Sequence, residues 1–329
     1  MSTPTVHGVP RTRLILAVVA LFVPLIAVAA SPWHSEAYLV FLALPPTLGG
    51  FLLGPRVAWL GAGLTALGAG IGTAVSPWPW AGALVMALAC AGVAWGARRG
   101  ALLLGTTATA PVALSLVTPP TITALGITVG DPITTARVLA VAGFVALGGL
   151  WTALVLTTLT RGLRVPTPHR ETERAARRYA AVLIPLMTLG TVAAMIWLPN
   201  THAWWVLLTV LVVLHPRYDR IRSHARARVI GTVAGGFAAA LLVAVIPDER
   251  VLTVLGVLCG LAAAWADLAR PYTQYSALLT LTIILLTSGT GDPFRTDLER
   301  IGATAVGAAL VLAVVIPGRA WLERRETAQ

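Results

Sequence analysis

The sequence predicts an all-α polytopic membrane protein of about twelve transmembrane helices, arranged as two tandem six-helix repeats that run in the same direction. The chain of 329 residues is 57% hydrophobic and only 11% charged, which is more apolar surface than a soluble protein can bury. Apolar stretches of about 16–20 residues recur along the chain and match the hydrocarbon thickness of a bilayer. Short motifs of the first half also recur, in the same order, in the second half.

The apolar stretches follow one another with short connections, and prolines, glycines and arginines mark their ends. A helix rises about 1.5 Å per residue, so each stretch is long enough to cross most or all of the bilayer. The predicted spans are residues 14–31, 35–54, 56–75, 80–97, 100–118, 134–160, 179–198, 201–215, 228–246, 250–268, 272–289 and 300–317.

The distribution of arginine predicts the orientation of these spans. With the N-terminus inside, all but four of the 24 basic residues fall on the inner side. The four exceptions are Arg137, Arg250, Arg295 and Arg300. The positive-inside rule therefore places both termini in the cytoplasm. Because this topology accounts for the net charge of +11, we expect no nucleic-acid partner. The abundance of alanine, glycine and arginine is typical of a GC-rich bacterium, so we expect the inner membrane.

Residues 1–31 also have the features of a secretory signal peptide, with a basic start, an apolar core and small residues at Ala27–Ser31. The second half begins with an equivalent uncleavable stretch at 179–198. We therefore expect the first stretch to be retained as a span, with cleavage as the alternative.

The internal repeat divides the chain into residues 1–160, a basic cytoplasmic linker at 161–178, and residues 179–329. An even number of spans per half gives both halves the same direction, related by an axis along the membrane normal. Tandem repeats of this kind are typical of transporters. The matched motifs are Gly130-Asp131-Pro132 with Gly291-Asp292-Pro293, Arg137 with Arg300, Arg56-Val57 with Arg228-Val229, and His34 with His202.

Proline and glycine mark unusual positions within the spans. The second and eighth spans end at Leu44-Pro45-Pro46 and Leu214-His215-Pro216. Interrupted segments at matching repeat positions point to a transport site at Pro46 and Pro216; the alternative is that proline simply ends each helix. The glycine pairs Gly68/Gly72 and Gly231/Gly235 predict close helix packing within the bundle. The alternative is that these faces join two copies in a homodimer.

Ionisable residues near the outer ends are candidates for a proton or substrate pathway. His34 with Glu36, and His202 with Trp204, could carry a coupled proton or could be ordinary interfacial residues beside an aromatic belt. Each Asp-Pro motif, at Asp131 and Asp292, predicts a helix cap. The arginines that follow, Arg137 and Arg300, oppose the helix dipole. We therefore expect them to pair with the aspartates or to contact an anionic substrate.

The inner ends carry a second group of candidates. Asp267 lies three residues before Arg270 and forms either a local ion pair or part of a proton relay. Tyr272 and Tyr275 either anchor the interface or stack on a planar substrate. Metal-binding, redox and nucleotide-binding motifs such as HExxH, CxxC and the P-loop are absent from the sequence. We therefore expect neither an enzyme nor a cofactor or metal, and transport would be driven by a gradient or run downhill.

A family resemblance rests on the second half, over about 200–316. Trp204-Trp205 leads to Leu214-His215-Pro216 and then to Arg228-Val229-Ile230-Gly231-Thr232-Val233-Ala234-Gly235. This stretch resembles the fusaric acid resistance family, also described as aromatic acid exporters, and Arg300 to Gly307 is similar to its closing helix. At the matching position the first half has Arg56-Val57-Ala58-Trp59-Leu60-Gly61 and lacks the Gly-Thr pair. Members of the family often carry a large cytoplasmic domain between the halves, whereas the linker at 161–178 is short.

The resemblance implies a membrane transporter that exports small organic anions, in particular aromatic carboxylates, and proton antiport would drive it. Arg56 and Arg228, at the inner turns, would concentrate the anion on the cytoplasmic side. A passive anion channel is the first alternative, because plant malate channels share this layout. A non-transporting membrane scaffold is the second. Besides the substrate and the lipid bilayer, a second copy of the chain is the partner that this layout suggests.

Overall fold

The computed structural model describes residues 11–161, 163, 169–217, 221–246, 248–269, 272–286, 299 and 301–315. Within these ranges the regular structure is helical, apart from one antiparallel bridge between Ile122 and Ile127. The helices are α1 Arg11–Leu21, α2 Val23–Ala29, α3 Ala37–Leu42, α4 Leu44–Phe51, α5 Pro55–Val75, α6 Pro79–Arg98, α7 Leu102–Val117, α8 Thr135–Leu159, α9 Glu173–Trp197, α10 Trp204–Val213, α11 Ile221–Val245, α12 Glu249–Ala269, α13 Tyr272–Leu286 and α14 Ile301–Val315.

Five helices of the described chain are long and apolar enough to cross a membrane: α5, α6, α8, α9 and most of α11. Shorter apolar helices cover Ile15–Ala29, α7, α10, Val251–Gly260, α13 and α14. The predicted all-α membrane class is therefore confirmed, and within the described residues each predicted span overlaps at least one helix. The count of twelve spans, the two repeats and the orientation of the termini stay predictions.

Proline acts differently in the two halves. α3 ends at Leu42 and α4 begins at Leu44, so Pro45 and Pro46 lie in the first turn of a new helix. A first-turn proline is tolerated because its missing N–H would have no partner there. The second predicted span is thus interrupted but continues. In the second half, by contrast, α10 ends at Val213, before the buried Pro216, as the alternative reading expects.

The helix starts differ from the predicted spans in two places that matter for the site. α9 begins at Glu173, where the hydroxyl of Thr172 accepts a hydrogen bond from the N–H of Ala175, so the end of the predicted linker is helical. α11 begins at Ile221, not at Arg228. The prediction that Arg228 lies at an inner turn is therefore wrong, because two further helical turns precede it.

Outward faces of the helices are apolar. On α5, Leu60 and Leu64 are 64% and 62% exposed, and on α6, Leu84 and Leu88 are 62% and 64% exposed. Leucines one helical turn apart that remain exposed form continuous apolar stripes, which a water-soluble protein would have to cover. A surrounding hydrocarbon layer covers them without cost.

Glycines let the helices cross closely inside the bundle. A Cβ on Gly148 of α8 would overlap the carbonyl oxygen of Val40 on α3, and one on Gly235 of α11 would overlap the carbonyl oxygen of Ala277 on α13. A Cβ on Gly68 would lie 2.9 Å from the Val112 side chain of α7. The glycine faces predicted from sequence therefore pack within one chain. A homodimer stays a prediction that these faces do not support.

The halves of the chain interlock. α6 packs along α9, and α12 contacts α2, so the fourth predicted span of each half touches the first span of the other. A Cβ on Gly82 of α6 would overlap the Met195 side chain of α9, and one on Gly260 of α12 would lie 3.2 Å from the ring of Phe22. The largest buried cluster, which includes Tyr179, joins α6, α7, α9, α10 and α14. The core therefore lies between the halves.

Loops meet at two opposite ends of the bundle. At one end Glu171 donates its backbone N–H to the carbonyl of Ala97, and its carboxylate accepts a hydrogen bond from Arg217 at 3.1 Å. We call this the arginine-rich end. At the other end Asn200 donates its backbone N–H to the carbonyl of Val117 at 3.0 Å. We call this the arginine-poor end.

Candidate functional site

Arg228 is a fully buried cation on α11, with 0% of the residue exposed. Its Nη1 donates a long hydrogen bond of 3.4 Å to the hydroxyl of Ser276 on α13. Its Nε and Nη2 have no hydrogen-bond partner in the part of the chain that the structure describes. These two nitrogens lie on the same edge of the guanidinium plane, which is the edge that binds a carboxylate with two parallel hydrogen bonds.

Close packing of α11 on α13 places Arg228 in this position. A Cβ on Gly231 would lie 2.6 Å from the Thr273 carbonyl oxygen and from Ser276 Cβ, so only glycine allows the approach. Thr232, one helical turn beyond Arg228, is also 0% exposed, and its hydroxyl has no hydrogen-bond partner among the described residues. Unsatisfied buried polar groups in native proteins require an explanation. Here the unsatisfied groups belong to Arg228 and Thr232, which lie one turn apart on α11.

Trp205 covers the same region from α10. It is 0% exposed, its ring centroid lies 5.6 Å from Arg228 Cζ, and its Nε1 donates a 2.9 Å hydrogen bond to the Thr304 hydroxyl of α14. A cation over an indole ring is attracted by the electron-rich face. Trp204, the residue predicted from sequence, packs edge-on against Trp205 at 4.7 Å. Trp205, and not the predicted Trp204, therefore faces Arg228.

A row of four rings lies one turn closer to the arginine-rich end. Ring centroids are 5.8 Å apart for His215 and His224, 5.2 Å for His224 and Tyr272, and 5.9 Å for Tyr272 and Tyr275. His224 precedes Arg228 by four residues on α11, so the two share a helix face. The predicted pair Tyr272 and Tyr275 therefore belongs to a larger aromatic row, half-buried, beneath Arg228.

Arg137 is the contrasting buried arginine, 1% exposed in the first turn of α8. Its three nitrogens donate to backbone carbonyls, at 2.9 Å to Pro120, 2.6 Å to Pro119 and 3.0 Å to Asp131. The loop before α8 therefore accepts a hydrogen bond from each of the three guanidinium nitrogens. Pairing with the Asp131 carboxylate, one of the two roles predicted for Arg137, is wrong: the Asp131 carbonyl is the acceptor.

Asp131 binds its own loop instead of capping the helix. Its carboxylate accepts hydrogen bonds from the backbone N–H and the hydroxyl of Thr128, at 2.6 and 2.9 Å. These bonds, with the nearby positive charge of Arg137, hold the pKa of Asp131 below its ordinary value. The predicted cap at Asp131 is wrong, because the Thr134 hydroxyl accepts the hydrogen bond from the first turn of α8.

A cavity of about 160 Å³ opens at the arginine-poor end. Its lining includes Asp131 from the loop before α8, Arg137 from the first turn of α8, Met195 from α9, and Asn200. The cavity thus lies where elements of both halves meet. Because each nitrogen of Arg137 already donates to a backbone carbonyl, the guanidinium has fewer N–H groups left to bind an anion in this cavity.

Glu36 lies near this end, in a single 3-10 turn, His34–Glu36, before α3. It is 0% exposed, and its Oε1 accepts a 2.6 Å hydrogen bond from the backbone N–H of Thr123. Its Oε2 is buried without a hydrogen-bond partner among the described residues. His34, by contrast, is exposed. His202 forms a 2.7 Å contact with Glu299, and both side chains are about two-fifths exposed (39% and 41%).

The remaining predicted residues divide into three groups. Arg56 is exposed at the start of α5, so the repeat counterparts Arg56 and Arg228 have opposite environments. Asp292 and Arg300 lie outside the described residues. Asp267 falls in α12, but its side chain is also outside the described part.

Sequence reasoning missed three neighbours of Arg228. Thr232 belongs to the Gly-Thr pair on which the family resemblance rested, so a signal for it was present. Ser276 lies one helical turn after the predicted Tyr272 and could have been inferred from helical spacing. Trp205 could not be chosen over Trp204, because the partner of α10 decides which tryptophan faces inward.

Comparisons with known proteins bear on this same half of the chain. Residues 187–314 match a family model described as fusaric acid resistance protein-like. Over 114 residues the chain is 30% identical to the inner membrane protein YccS of Escherichia coli (strain K12). That alignment covers 35% of this chain and 16% of YccS, so the chain spans only a small part of that relative. No solved structure matches the chain. The resemblance predicted from the second half is therefore confirmed: residues 187–314, which include Arg228 and Trp205, match the fusaric acid resistance protein-like family.

Proposed function

We propose that this protein exports small organic anions, above all aromatic carboxylates, across a bacterial inner membrane in exchange for protons. The apolar helices and the similarity of residues 187–314 to the fusaric acid resistance protein-like family support a membrane transporter. The relative YccS is described as an inner membrane protein, which supports that location. The positive-inside rule supports a cytoplasmic arginine-rich end.

The observation that carries the proposal is the buried guanidinium of Arg228 with two N–H groups that have no partner in the described chain. Burial of an uncompensated ion costs several kcal/mol even after relaxation of the protein. Proteins normally compensate such a charge with a partner. A carboxylate taken up from solution supplies both the negative charge and the two acceptors, so Arg228 is suited to bind an organic anion.

The surroundings favour an anion that carries an aromatic ring. Trp205 lies against Arg228 on one side, and His224 with Tyr272 lies one turn below. Flat rings stack or pack edge-on against such side chains. The matched family is named for resistance to fusaric acid, which is a pyridine carboxylic acid and therefore has both required groups. We infer that the substrates of this protein share this chemistry.

Proton exchange is the proposed energy source, because the sequence contains no Walker motif for ATP hydrolysis. Movement of one charge across about 100 mV supplies ~2.3 kcal/mol. That amount is enough to concentrate a monovalent anion on the outside by more than tenfold.

The test is efflux of radiolabelled carboxylates from inside-loaded proteoliposomes, with and without an imposed proton gradient. The panel contains fusaric acid, benzoate and acetate. We expect the two aromatic acids to leave faster than acetate, and faster with the outside acidic. Arg228→Met should abolish this efflux, because the variant lacks the buried cation. Arg99→Met is the matched control, since exposed Arg99 stacks on Trp95 at 3.6 Å away from the site.

Each other outcome contradicts a stated part of the proposal. Efflux that ignores the gradient would identify a passive anion channel. Equal loss of efflux in both variants would mean that general positive charge, and not Arg228, attracts the anion. No movement of any acid, in folded wild-type protein, would leave a membrane scaffold as the reading.

A further inference from the structure

We propose that Thr232 determines which aromatic acids bind at Arg228, because its hydroxyl recognises a hydrogen-bond acceptor on the ring beside the carboxylate. This inference rests on the proposed function, in which Arg228 binds the carboxylate, and adds a second point of recognition one helical turn away. A ring nitrogen next to the carboxylate, as in picolinate, is an acceptor of this kind. Thr232 thus narrows the class of aromatic carboxylates that the site prefers.

The hydroxyl of Thr232 departs from the usual behaviour of threonine in a helix, which is to bond the backbone carbonyl four residues earlier. Buried threonines that form this bond here are Thr47, Thr65, Thr73, Thr109, Thr160, Thr209, Thr280 and Thr282. Thr232 is just as buried, but its hydroxyl has no partner in the described chain. Thr152, Thr188 and Thr191 also lack one. Of these four, Thr232 alone lies within one turn of a buried cation on its own helix.

The guanidinium of Arg228 stays close to the turn of α11 that leads to Thr232. The Ser276 hydroxyl oxygen lies 3.4 Å from Nη1 of Arg228 and also 3.4 Å from the backbone carbonyl oxygen of Arg228. One oxygen therefore contacts both ends of the arginine, so its side chain folds back along its own helix. The Cβ atoms of residues four apart on a helix are about 5–6 Å apart. One small molecule can therefore contact the guanidinium and the Thr232 hydroxyl at the same time.

The helices packed on α11 show which way Thr232 faces. Gly231 and Gly235 lie against α13, because a Cβ on either would overlap a backbone carbonyl of that helix. Gly236 lies against α14, since a Cβ there would be 3.5 Å from an α14 side chain. With 3.6 residues per turn, position 232 falls between these two contacts around the helix. Thr232 therefore faces the junction of α11, α13 and α14, where Trp205 donates its hydrogen bond to α14.

These positions allow two-point recognition of an aromatic acid. The carboxylate accepts hydrogen bonds from Nε and Nη2 of Arg228, and a ring nitrogen beside it accepts the hydroxyl hydrogen of Thr232. Benzoate has no such acceptor and leaves the hydroxyl unpaired. Isonicotinate has its nitrogen on the opposite side of the ring, out of reach of Thr232 while the carboxylate is at Arg228. A site that offers a hydrogen bond discriminates against analogues that cannot form it.

The test is displacement of radiolabelled benzoate from the purified protein in detergent by unlabelled picolinate or isonicotinate. At neutral pH the three acids are monoanions of nearly the same size, so they differ mainly in the ring nitrogen. Wild type should bind picolinate about 2- to 10-fold more tightly than isonicotinate, the contribution of one neutral hydrogen bond. Thr232→Val replaces the hydroxyl by a methyl group, so it should bind both with equal affinity and keep its affinity for benzoate. Thr232→Ser keeps a hydroxyl and should retain the preference.

Thr73→Val is the matched control, because Thr73 is equally buried but bonds the carbonyl of Ala69 on α5; it should retain the preference. Equal binding of picolinate and isonicotinate by wild type, or a preference that survives in Thr232→Val, would overturn the inference. Without ligand, the unfolding midpoint of Thr232→Val should be at least that of wild type, since no hydrogen bond is lost. A clear fall would mean that the hydroxyl has a structural partner, which also overturns it. Failure of wild type to bind any of the three acids would contradict the proposed function itself.

Discussion

Replacement of Arg228 by methionine should stabilise the protein while it abolishes anion binding. The buried guanidinium has one 3.4 Å hydrogen bond, to Ser276, and an indole ring 5.6 Å away. Exchange of a buried charge for a hydrophobic side chain of similar volume is often stabilising, by about 1–4 kcal/mol. Loss of the contact with Trp205 removes about 0.5–2 kcal/mol of that gain. With mid-range values for both terms, the net change should be a stabilisation of roughly 1 kcal/mol.

Arg137 supplies the matched control, because it is equally buried but each of its three nitrogens donates a hydrogen bond to a backbone carbonyl. Arg137→Met leaves three backbone carbonyls without their donor. Each buried acceptor that loses its partner costs about 1–3 kcal/mol. At about 2 kcal/mol for each acceptor the loss is about 6 kcal/mol, of which removal of the buried charge returns about 1–4 kcal/mol, so the variant should lose about 2–5 kcal/mol. The two substitutions, chemically identical, should thus change stability in opposite directions.

The assay is the midpoint of thermal unfolding in detergent micelles, followed by intrinsic fluorescence of the 11 tryptophans. Without added anion, the midpoint of Arg228→Met should equal or exceed that of wild type, and the midpoint of Arg137→Met should fall. Fusaric acid should raise the midpoint of wild type but not that of Arg228→Met, because a ligand stabilises only the state that binds it. A fall in Arg228→Met as large as in Arg137→Met would refute the reasoning, since Arg228 would then have a structural partner.

Three further predictions concern packing, the indole bond and pH. Gly235→Ala should destabilise the protein by about 1–3 kcal/mol through overpacking, because the new Cβ would overlap a backbone carbonyl of α13. Gly236→Ala is its control, because a Cβ there would lie at an ordinary 3.5 Å from the Ile301 side chain of α14. Equal unfolding midpoints for the two variants would contradict the close crossing of α11 and α13. Trp205→Phe removes the hydrogen bond to Thr304 and should cost about 1 kcal/mol, measured as a lower midpoint; an unchanged midpoint would mean that this bond adds nothing. The lowered pKa of Asp131 means that its contribution to stability is complete above pH ~4 and is lost as the pH falls through the folded pKa. Asp131→Asn should therefore reduce the fall of the unfolding midpoint as the pH is lowered through this range. An unchanged fall would contradict the role of Asp131.

Much of the fold could be predicted from the sequence, because the relevant signals are local. The length of an apolar stretch determines whether a helix can cross a bilayer, and a helix of the described chain overlaps each predicted span. Pro45 and Pro46 predicted the interruption that separates α3 from α4. The stretch from Trp204 to Gly235 was also sufficient to indicate the family that residues 187–314 match.

The sequence by itself therefore determined the helical membrane class, the places of the helices and the family of the second half. Only the tertiary structure decided which side chains are buried and which are paired. Arg56 and Arg228 are both followed by valine and a glycine-rich stretch, yet one is exposed and the other has 0% exposure. Likewise Trp205, and not Trp204, faces Arg228. The physical reason is that burial depends on the helix that packs opposite, and local sequence does not specify that partner.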